Sequence, residues 1–435
     1  MKTSNLIVVV LIFASISRID AFVNPFQCLL SPNIFQCLVN PNIFQCLVNP
    51  CLQQTCSSLT PACISNFCGG CYFSILEEND SSNPDNLGQI KETAPANSKD
   101  YGRFKKPLPT VDFSWVSPAL CNFVTEKNWH FISISTPQYF IVSTIINLNY
   151  IANAFVYVYD ITNGELYNYT TNSILAVDIK ERTKSSISGC TFFYRSLSEY
   201  IRHCYNQQEN RYEISVNVTT NNNIQVSFAF QINYSSVSDQ SLVLLYPFKP
   251  TQPAYTHHLA TQPTQGTMKI GNILPESSFT GLGTTDWTLA YQKRVTRWKW
   301  ASFSVQAQDI TNGGYVTIGI NLSNDLYDDK NNISMENAVW INGQVYTIDH
   351  FVNIQTPTEQ FLLTQPWQII TVEDNPKIDL QFQPLGSHQQ HDNLVVVNIQ
   401  FVQAFGLFSG TIQMLGNTYT ISNGSGVVES NYAKW

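Results

Sequence analysis

Three tryptophans in the second half of the chain are the residues best suited to bind a ligand. Large aromatic side chains line small-molecule pockets, and a few polar groups fix the orientation of the ligand. The candidate ligand-binding residues are Trp298, Trp300, Trp340, Arg297, Glu336 and Asn337. The chemistry that these residues predict is recognition of a small apolar molecule by aromatic walls and a few hydrogen bonds.

A purely structural role is the competing interpretation, and it is favoured because large aromatic residues form cores first. In it the tryptophans fill the floor of a barrel, and Arg297 pairs with Glu336 as a buried ion pair. No catalytic residue is assigned. Acid catalysis could use only Glu336, if an apolar setting raises the pKa of its carboxyl group.

The remaining polar clusters do not predict a metal or cofactor site. A zinc site usually needs three or four ligands, so the histidines in polar stretches are predicted to be surface groups, namely His257, His258, His388 and His391. The acidic run lacks the spacing of a known calcium loop and is predicted to be a solvated turn that holds Asp325, Asp328 and Asp329. Hydrolase, zinc-protease, P-loop and dinucleotide-binding motifs are absent from the sequence.

The tryptophans lie in segments whose apolar residues alternate with period two, as in half-buried strands. WKWASFSV places Trp298, Trp300, Ser302 and Ser304 on one side of such a strand. YVTIGINL alternates in the same way, and AVWINGQVY contains Asn342-Gly343, which favours a tight hairpin turn. The tryptophans are therefore predicted to stand on an antiparallel sheet.

Short strands with turn signals at close spacing extend over most of the chain and indicate an all-β fold. We expect two antiparallel β-barrels in tandem, at residues 111–250 and 267–435, joined by a proline-punctuated crossover at 247–266. Further hairpins are predicted at Asn163-Gly164 and Gly416-Asn417. A barrel of about eight strands can hold one small ligand.

The N-terminal part of the chain has a different character. Residues 1–21 combine an early lysine with a short apolar run, which is typical of a signal peptide. Residues 22–76 contain three copies of one cysteine-bearing unit and are predicted to be a disulfide-rich module. The cysteines predicted to form disulfides are Cys28, Cys37, Cys46, Cys51, Cys56, Cys63, Cys68 and Cys71, with Cys190 and Cys204 as a separate pair in the first β domain. Cys121 is left over, as a buried thiol or an intermolecular bridge, and residues 77–110 are predicted to be a flexible linker.

Charge and composition restrict the partners. The chain has 23 basic and 31 acidic residues and a net charge of −8, which argues against nucleic acid and anionic membranes as partners. We expect no transmembrane segment in the mature chain. The apolar run of the signal peptide is about half the length that a bilayer requires, and no uninterrupted apolar segment after it is longer. Export would make glycosylation available at the sequons Asn79, Asn168, Asn217, Asn233, Asn321, Asn332 and Asn423.

A series of short motifs in the β region resembles a known family, domain of unknown function 2804. The motif residues are Asp286-Trp287; Arg294, Trp298, Trp300 and Ala301; Gly319, Asn321 and Leu322; Glu336, Asn337, Trp340 and Gly343; Pro366 and Trp367; Asp379, Phe382 and Pro384; Gln403, Phe405, Gly406, Phe408, Ser409 and Gly410; Glu429 and Trp435. They run in order through residues 111–435. The family is similar to double lipocalin-like proteins, which include carotenoid hydratases and AttH-type proteins. The resemblance therefore implies two lipocalin-like barrels that enclose apolar ligands.

Three functions remain open. The first is a secreted protein that binds a small apolar molecule such as a lipid, isoprenoid or pigment. The second is an isoprenoid or carotenoid hydratase or isomerase. The similar hydratases place a histidine two residues before a tryptophan, and Trp298 stands there before Trp300, which counts against hydratase activity. The third is a structural or adhesive protein that assembles through its cysteine repeats into disulfide-linked oligomers.

Overall fold

The computed structural model describes residues 84–116, 125–393 and 398–435, together with two short strands. The chain divides into two compact units, residues 1–80 with 117–122, and residues 81–116 with 123–435. In the first unit, β1 (Ser65–Phe67) pairs antiparallel with β2 (Cys71–Phe73). The predicted signal peptide, the rest of the cysteine-rich module, Cys121 and Asn79 lie outside the described residues.

The second unit consists almost entirely of strands. They are β3 (Gly102–Phe104), β4 (Glu126–Ser135), β5 (Tyr139–Asn147), β6 (Ile151–Asp160), β7 (Glu165–Ile174), β8 (Ile179–Arg182), β9 (Gly189–Ser196), β10 (Glu199–Asn206), β11 (Arg211–Thr219), β12 (Gln225–Asn233), β13 (Leu242–Lys249), β14 (Gln252–Ile270), β15 (Leu274–Tyr291), β16 (Val295–Asp309), β17 (Tyr315–Asn324), β18 (Ala338–Ile341), β19 (Gln344–Thr347), β20 (Val352–Gln355), β21 (Trp367–Thr371), β22 (Lys377–Asn393), β23 (Asn398–Met414) and β24 (Asn417–Lys434). One 3-10 turn spans Glu359–Phe361.

The first sheet has 13 strands in the order β7-β6-β5-β4-β15-β14-β12-β11-β10-β9-β8, with β13 beside β14 and β3 beside β13. Alternate residues of β4 to β12 and of β14 meet in one apolar core, which includes Ile132, Val156, Phe193, Ile214 and Phe230. Strands from both ends of the order share this core, so the sheet curls around it.

The second sheet has nine strands in the order β19-β18-β17-β16-β24-β23-β22-β21-β20. Its core uses the face of β16 that carries Ala301 and Phe303, together with Ile320, Trp367 and Phe408 from other strands. Two curled antiparallel sheets in tandem confirm the predicted all-β, double lipocalin-like fold. The Asn342-Gly343 hairpin is also confirmed, since it joins β18 to β19 with positive φ at both residues.

The structure corrects the predicted boundary between the β domains. Residues 247–266 are not a crossover, because they form the end of β13 and most of β14 inside the first sheet. The first sheet continues through β15 to Tyr291, and the second begins with β16. The last hairpin turns at Leu415 and Gly416, which have positive φ, one residue earlier than predicted.

The segment from residue 84 to 110 is not a flexible linker. β3 pairs with β13, and the side chains of Arg103 and Phe104 are fully buried. The Arg103 guanidinium donates a hydrogen bond to the carbonyl oxygen of Gly88 at 3.0 Å and forms an ion pair with Asp349 at 2.6 Å. The segment is polar overall, but its residues Leu87, Ile90 and Leu108 pack against the cores of the unit.

The other face of β16 contacts the first sheet. Trp300 packs with Phe131, Phe140 and Phe155 of the first sheet and with Phe405 of the second. Farther along β16, the Ser304 hydroxyl accepts a hydrogen bond from the backbone N–H of Thr261 at 2.8 Å. The predicted alternation of β16 is therefore correct, and its tryptophan face lies at the junction between the sheets.

Gly319 of β17 permits a close approach of the two sheets at this junction. A Cβ atom at this position would lie 2.5 Å from Cβ of Ala260 on β14.

In the part of the chain that the structure describes, no helix is both long and apolar enough to cross a membrane.

Candidate functional site

An aromatic pocket lies at the junction of the two sheets. It encloses a cavity volume of about 120 Å³, comparable to the roughly 150 Å³ cavity that holds benzene in an engineered protein. Its aromatic walls are Trp129, Phe131, Phe155, Trp298, Trp300, Tyr327, Phe401 and Trp435. Asn172, which is exposed, and Gln390, which is half-buried, also line it and mark its rim.

Three ionisable side chains form a polar end in this pocket, supplied by strands of both sheets. Strand pairing places His258 of β14 beside Asp286 of β15 and Asp286 beside Phe131 of β4. Glu336 comes from the segment before β18 of the second sheet. His258 Nδ1 lies 3.8 Å from an Asp286 oxygen, and His258 Nε2 lies 3.7 Å from Oε2 of Glu336.

Burial governs the charges at this polar end. Burial disfavours the charged form of His258, but the carboxylates of Asp286 and Glu336 outweigh it and raise the pKa of the imidazole. Burial also raises the pKa of Glu336, against the opposing effect of His258. Both ring nitrogens of His258 and Oε2 of Glu336 lack a hydrogen-bond partner among the described residues. The His258–Glu336 pair is thus buried, and its facing atoms lie close together without hydrogen-bond partners.

Asp286 is held in place by two neighbours. Its Oδ2 accepts a hydrogen bond from the Trp129 indole at 3.0 Å, and its Oδ1 accepts one from the Thr288 hydroxyl at 3.0 Å. These bonds fix the carboxylate beside His258. The arrangement resembles the orientation of a catalytic histidine by an acidic residue, although 3.8 Å exceeds hydrogen-bond length.

A second buried carboxyl group, Glu429 of β24, also lines the pocket, and both of its oxygens accept hydrogen bonds. It accepts hydrogen bonds from Trp298 at 2.7 Å, Gln403 at 2.6 Å and Asn431 at 2.8 Å. Burial raises the pKa of Glu429 to about 7, against the lowering effect of the hydrogen bonds. Tyr157 of the first sheet extends this network by donating to Gln403 at 2.9 Å.

The opposite face of the same three strands carries a second row of histidines. Strand pairing places His257 of β14 beside Trp287 of β15, and Trp287 beside His130 of β4. Each of these residues is adjacent in sequence to a pocket residue and therefore points to the other face. The rings of His130 and His203 are 4.8 Å apart, and His203 Nε2 lies 2.7 Å from the Ser143 hydroxyl. Burial lowers the pKa of both His130 and His257 to about 3, which keeps these imidazoles neutral.

The structure brings together three of the six predicted ligand-binding residues. Trp298, Trp300 and Glu336 line the pocket. Trp340 is instead fully buried among Leu242, Ala260, Ala338 and Val345. Trp298 and Trp300 therefore line a pocket, as ligand binding would require, whereas Trp340 fills a core.

The two remaining predicted residues lie elsewhere. Arg297 is exposed and stacks its guanidinium over the ring of Tyr432, 5.1 Å from the centroid, so the predicted Arg297–Glu336 pair is wrong. Asn337 is buried and accepts a hydrogen bond from the backbone N–H of Ser323 at 2.6 Å, so it supports the chain beside the pocket.

Several groups predicted to be on the surface are buried. His257, His258 and His388 are 0%, 2% and 8% exposed, so the surface prediction holds only for His391. Asp328 and Asp329 are buried as well, which contradicts the solvated turn. The polar composition of both regions suggested solvent exposure, although these side chains are buried by long-range packing. Period-two alternation through Tyr255, His257 and Leu259 is the signal that could have found β14.

The structure also bears on the predicted modifications. Asn321 is 3% exposed, accepts a hydrogen bond from Trp300 and donates one to the backbone of Glu336, so the prediction of a glycan there is wrong. Asn233, Asn332 and Asn423 are exposed, whereas Asn168 and Asn217 are half-buried. Cys190 and Cys204 face each other on β9 and β10 and are joined by a disulfide.

The chemistry available in the pocket is that of hydrogen bonding and proton transfer. Within residues 84–116, 125–393 and 398–435, no three His, Cys, Asp or Glu side chains are grouped so that they could hold a metal ion. The pocket offers aromatic contact surface, one buried His–Glu pair and one fully bonded carboxyl group.

Comparison with known families gives the lineage. The family model described as domain of unknown function (DUF2804) matches residues 85–435, which is most of the chain. The chain belongs to the DUF2804 family. The match includes the pocket residues His258, Asp286, Glu336 and Glu429. No curated protein matches this DUF2804 chain significantly.

Solved structures with low sequence identity are similar to this DUF2804 protein. A protein assigned as AttH from Nitrosomonas europaea is 12% identical, with a TM-score of 0.42 over 74% of this chain and 96% of its own. Kievitone hydratase from Nectria haematococca is 14% identical, with a TM-score of 0.39 over 80% of this chain and 98% of its own. CghA with Sch210972 is 8% identical, with a TM-score of 0.42 over 81% and 96%.

Proposed function

We propose that this DUF2804 protein binds a small, largely apolar molecule in the pocket at the junction of the sheets. The observation that carries the proposal is the composition of the pocket, with aromatic walls and a polar end formed by His258, Asp286 and Glu336. Pockets that bind small molecules combine apolar walls with a few convergent polar groups. The polar end also contains buried atoms that lack a hydrogen-bond partner among the described residues, namely both ring nitrogens of His258 and Oε2 of Glu336.

Mass spectrometry of the native protein tests the proposal. The chain is made in a secreting host, and the protein is examined intact and after organic extraction. Binding is then measured by the change in tryptophan fluorescence with lipids, isoprenoids and pigments. We expect a co-purifying apolar molecule or a saturable change that Trp300→Ala weakens. Absence of both across the whole panel would contradict ligand binding.

Acid–base catalysis on the bound molecule is the second candidate function. It is favoured by His258 and Glu336, whose facing atoms are buried, 3.7 Å apart and without a hydrogen-bond partner among the described residues. A carboxyl group with a raised pKa can donate a proton near neutral pH, and a nearby imidazole can accept one. Such a pair supports hydration or isomerisation of an apolar substrate.

Conversion of the bound molecule separates an enzyme from a carrier. Glu336→Gln removes the transferable proton and keeps the shape of the side chain. An enzyme would lose turnover by a factor of about 100 or more while retaining ligand affinity. Equal product formation by the variant and the wild type would exclude Glu336 as the acid, and no conversion by the wild type would leave binding as the function.

We also propose that the chain is exported. The support is the short apolar run near residue 10 and the disulfide between Cys190 and Cys204, since disulfides persist in oxidising compartments. Fractionation of the native cells, with thiol labelling of the purified protein, tests this. Recovery of the protein in the cytosol with free thiols at both positions would contradict export.

A further inference from the structure

We infer that the ligand of this pocket carries a hydroxyl group, which binds between His258 and Glu336. The inference rests on the proposed function, because it specifies the class of molecule that the pocket binds. His258 Nε2 and Glu336 Oε2 are 3.7 Å apart, which is too long for a hydrogen bond between them. Each is nevertheless removed from water, with side chains 3% and 5% exposed.

These two atoms can share one oxygen atom. An oxygen placed about 2.8 Å from each atom, at ordinary hydrogen-bond length, completes a triangle whose base is the 3.7 Å separation. When one of these two atoms carries a proton and the other does not, the oxygen accepts a hydrogen bond from the first and donates one to the second. A hydroxyl group does both, whereas ether and ketone oxygens only accept and a hydrocarbon does neither.

The other strongly polar groups of the pocket are already bonded to the protein. Asp286 accepts from Trp129 and Thr288, and Glu429 accepts from three side chains. The indole N–H of Trp300 donates to Asn321 at 2.9 Å. Three further polar atoms of the described lining lack a hydrogen-bond partner, namely Oγ1 of Thr144, Oδ1 of Asn153 and Oε1 of Gln292, and all three belong to uncharged side chains. One polar end and aromatic walls therefore favour an apolar alcohol or phenol.

Matched sets of small molecules test the inference with the full chain. Each set has one skeleton as an alcohol, its methyl ether and its parent hydrocarbon, with naphthalene, geranyl and decyl skeletons as the three sets. Equilibrium dialysis gives the affinities. A buried site built to bind a hydroxyl discriminates strongly against analogues that lack it. We expect the alcohol of at least one set to bind about 100-fold more tightly than its ether and hydrocarbon.

Two variants show which residue causes the preference for the alcohol. Glu336→Leu removes one hydrogen-bond partner and should reduce the preference for the alcohol to less than about threefold, with hydrocarbon binding retained. Thr191→Val is the matched control, since it removes a buried, unpartnered hydroxyl that does not line the pocket and should leave the preference intact. Circular dichroism and thermal unfolding check that both variants fold.

The outcomes distinguish the two proposals. If alcohol, ether and hydrocarbon of every binding skeleton have equal affinity for the wild-type protein, the hydroxyl inference is overturned and the proposed function stands. If no member of any set binds and the wider panel is also negative, the proposed function fails, and the hydroxyl inference fails with it. Because the wild-type series decides both questions, failure of Glu336→Leu to fold leaves the test complete.

Discussion

The indole N–H of Trp298 donates a hydrogen bond to Oε2 of Glu429 at 2.7 Å, across the pairing of β16 with β24. The two side chains close one side of the pocket, and Trp298 also stacks against Trp435 with the ring planes 13° apart. Because burial raises the pKa of Glu429 to about 7, its charge changes near neutral pH. The hydrogen bond between Trp298 and Glu429 is thus linked to a titration.

Tryptophan emission should follow this titration. Above pH 7 the ionised carboxylate accepts a stronger, charge-assisted hydrogen bond from Trp298, and below pH 7 the neutral acid accepts a weaker one. We expect the emission of Trp298, taken as wild type minus Trp298→Phe, to change with a midpoint near pH 7. Glu429→Gln should abolish the transition. A transition that survives in Glu429→Gln would assign the titration to another group.

Stability should fall in acid because of the inner histidines. His130 and His257 have a pKa of about 3 in the folded protein and about 6.5 when unfolded. Between these values the unfolded chain binds more protons, so each histidine lowers the free energy of unfolding by up to about 1.4 kcal/mol per pH unit as pH falls. Denaturant unfolding at pH 7, 6, 5 and 4 measures this slope.

His130→Leu is the variant that isolates one of these protons. The slope of unfolding free energy against pH should decrease by about one proton, since leucine does not titrate. His391→Leu serves as the control, because His391 is exposed. An unchanged slope in His130→Leu would show that His130 is not buried in its neutral form.

Trp340 and Trp300 should respond differently to truncation. Trp340 is fully buried in the core, so Trp340→Ala should lower the free energy of unfolding by about 3–5 kcal/mol. The ligand affinity of the folded fraction should stay unchanged. Trp300→Ala should weaken affinity, because Trp300 lines the pocket. Chemical unfolding and ligand titration of both variants measure the contrast, which equal losses of affinity would contradict.

Gly319→Ala should separate the sheets. The added Cβ would lie 2.5 Å from Cβ of Ala260, and relief of such overpacking typically costs about 1–3 kcal/mol. Ala260→Gly removes the opposing atom, so the double variant should recover part of the lost stability. A double-mutant cycle on thermal unfolding provides the measurement. Additive losses would show that the two residues do not touch.

Arg103→Met should destabilise the packing of the N-terminal segment. The guanidinium is fully buried and pairs with Asp349, whose side chain is 32% exposed, so the loss should exceed the about 0–1 kcal/mol of exposed pairs and remain below the about 3–5 kcal/mol of fully buried ones. Lys105→Met is the matched control, since Lys105 pairs with Glu92, whose side chain is 74% exposed, and such pairs contribute about 0–1 kcal/mol. Chemical unfolding and limited proteolysis compare the two, and equal effects would contradict the buried ion pair.

Local alternation predicted much of the fold, because the period of a half-buried strand is visible within one segment. The faces of β16 are as predicted, with Ala301 and Phe303 in the core of the second sheet and Trp300 at the junction. β14 was missed because Pro253, Pro263 and the polar residues between them suggested a loop. Its side chains are buried only because β12, β13 and β15 pair with it and strands of the second sheet cover it.

The pocket itself required long-range register that no local pattern contains. His258 and Asp286 lie side by side through the pairing of β14 with β15, but Glu336 reaches them from the other sheet. The same limit explains why Trp340 and Trp300, both on alternating strands, have different environments. Trp340 faces Ala260 and Leu242, and this contact follows from the close approach at Gly319.

The opposite orientations of His257 and His258 limit how the sequence of this family can vary. His257 and His258 are adjacent in sequence, yet one belongs to the interior of the first sheet and the other to the pocket. Insertion or deletion of one residue within β14 would reverse the faces of these two residues, turning His258 away from Asp286 and Glu336 into the core and His257 towards the pocket side. Relatives should therefore differ along β14 and β15 by substitution only, with changes of length confined to the turn at residues 271–273.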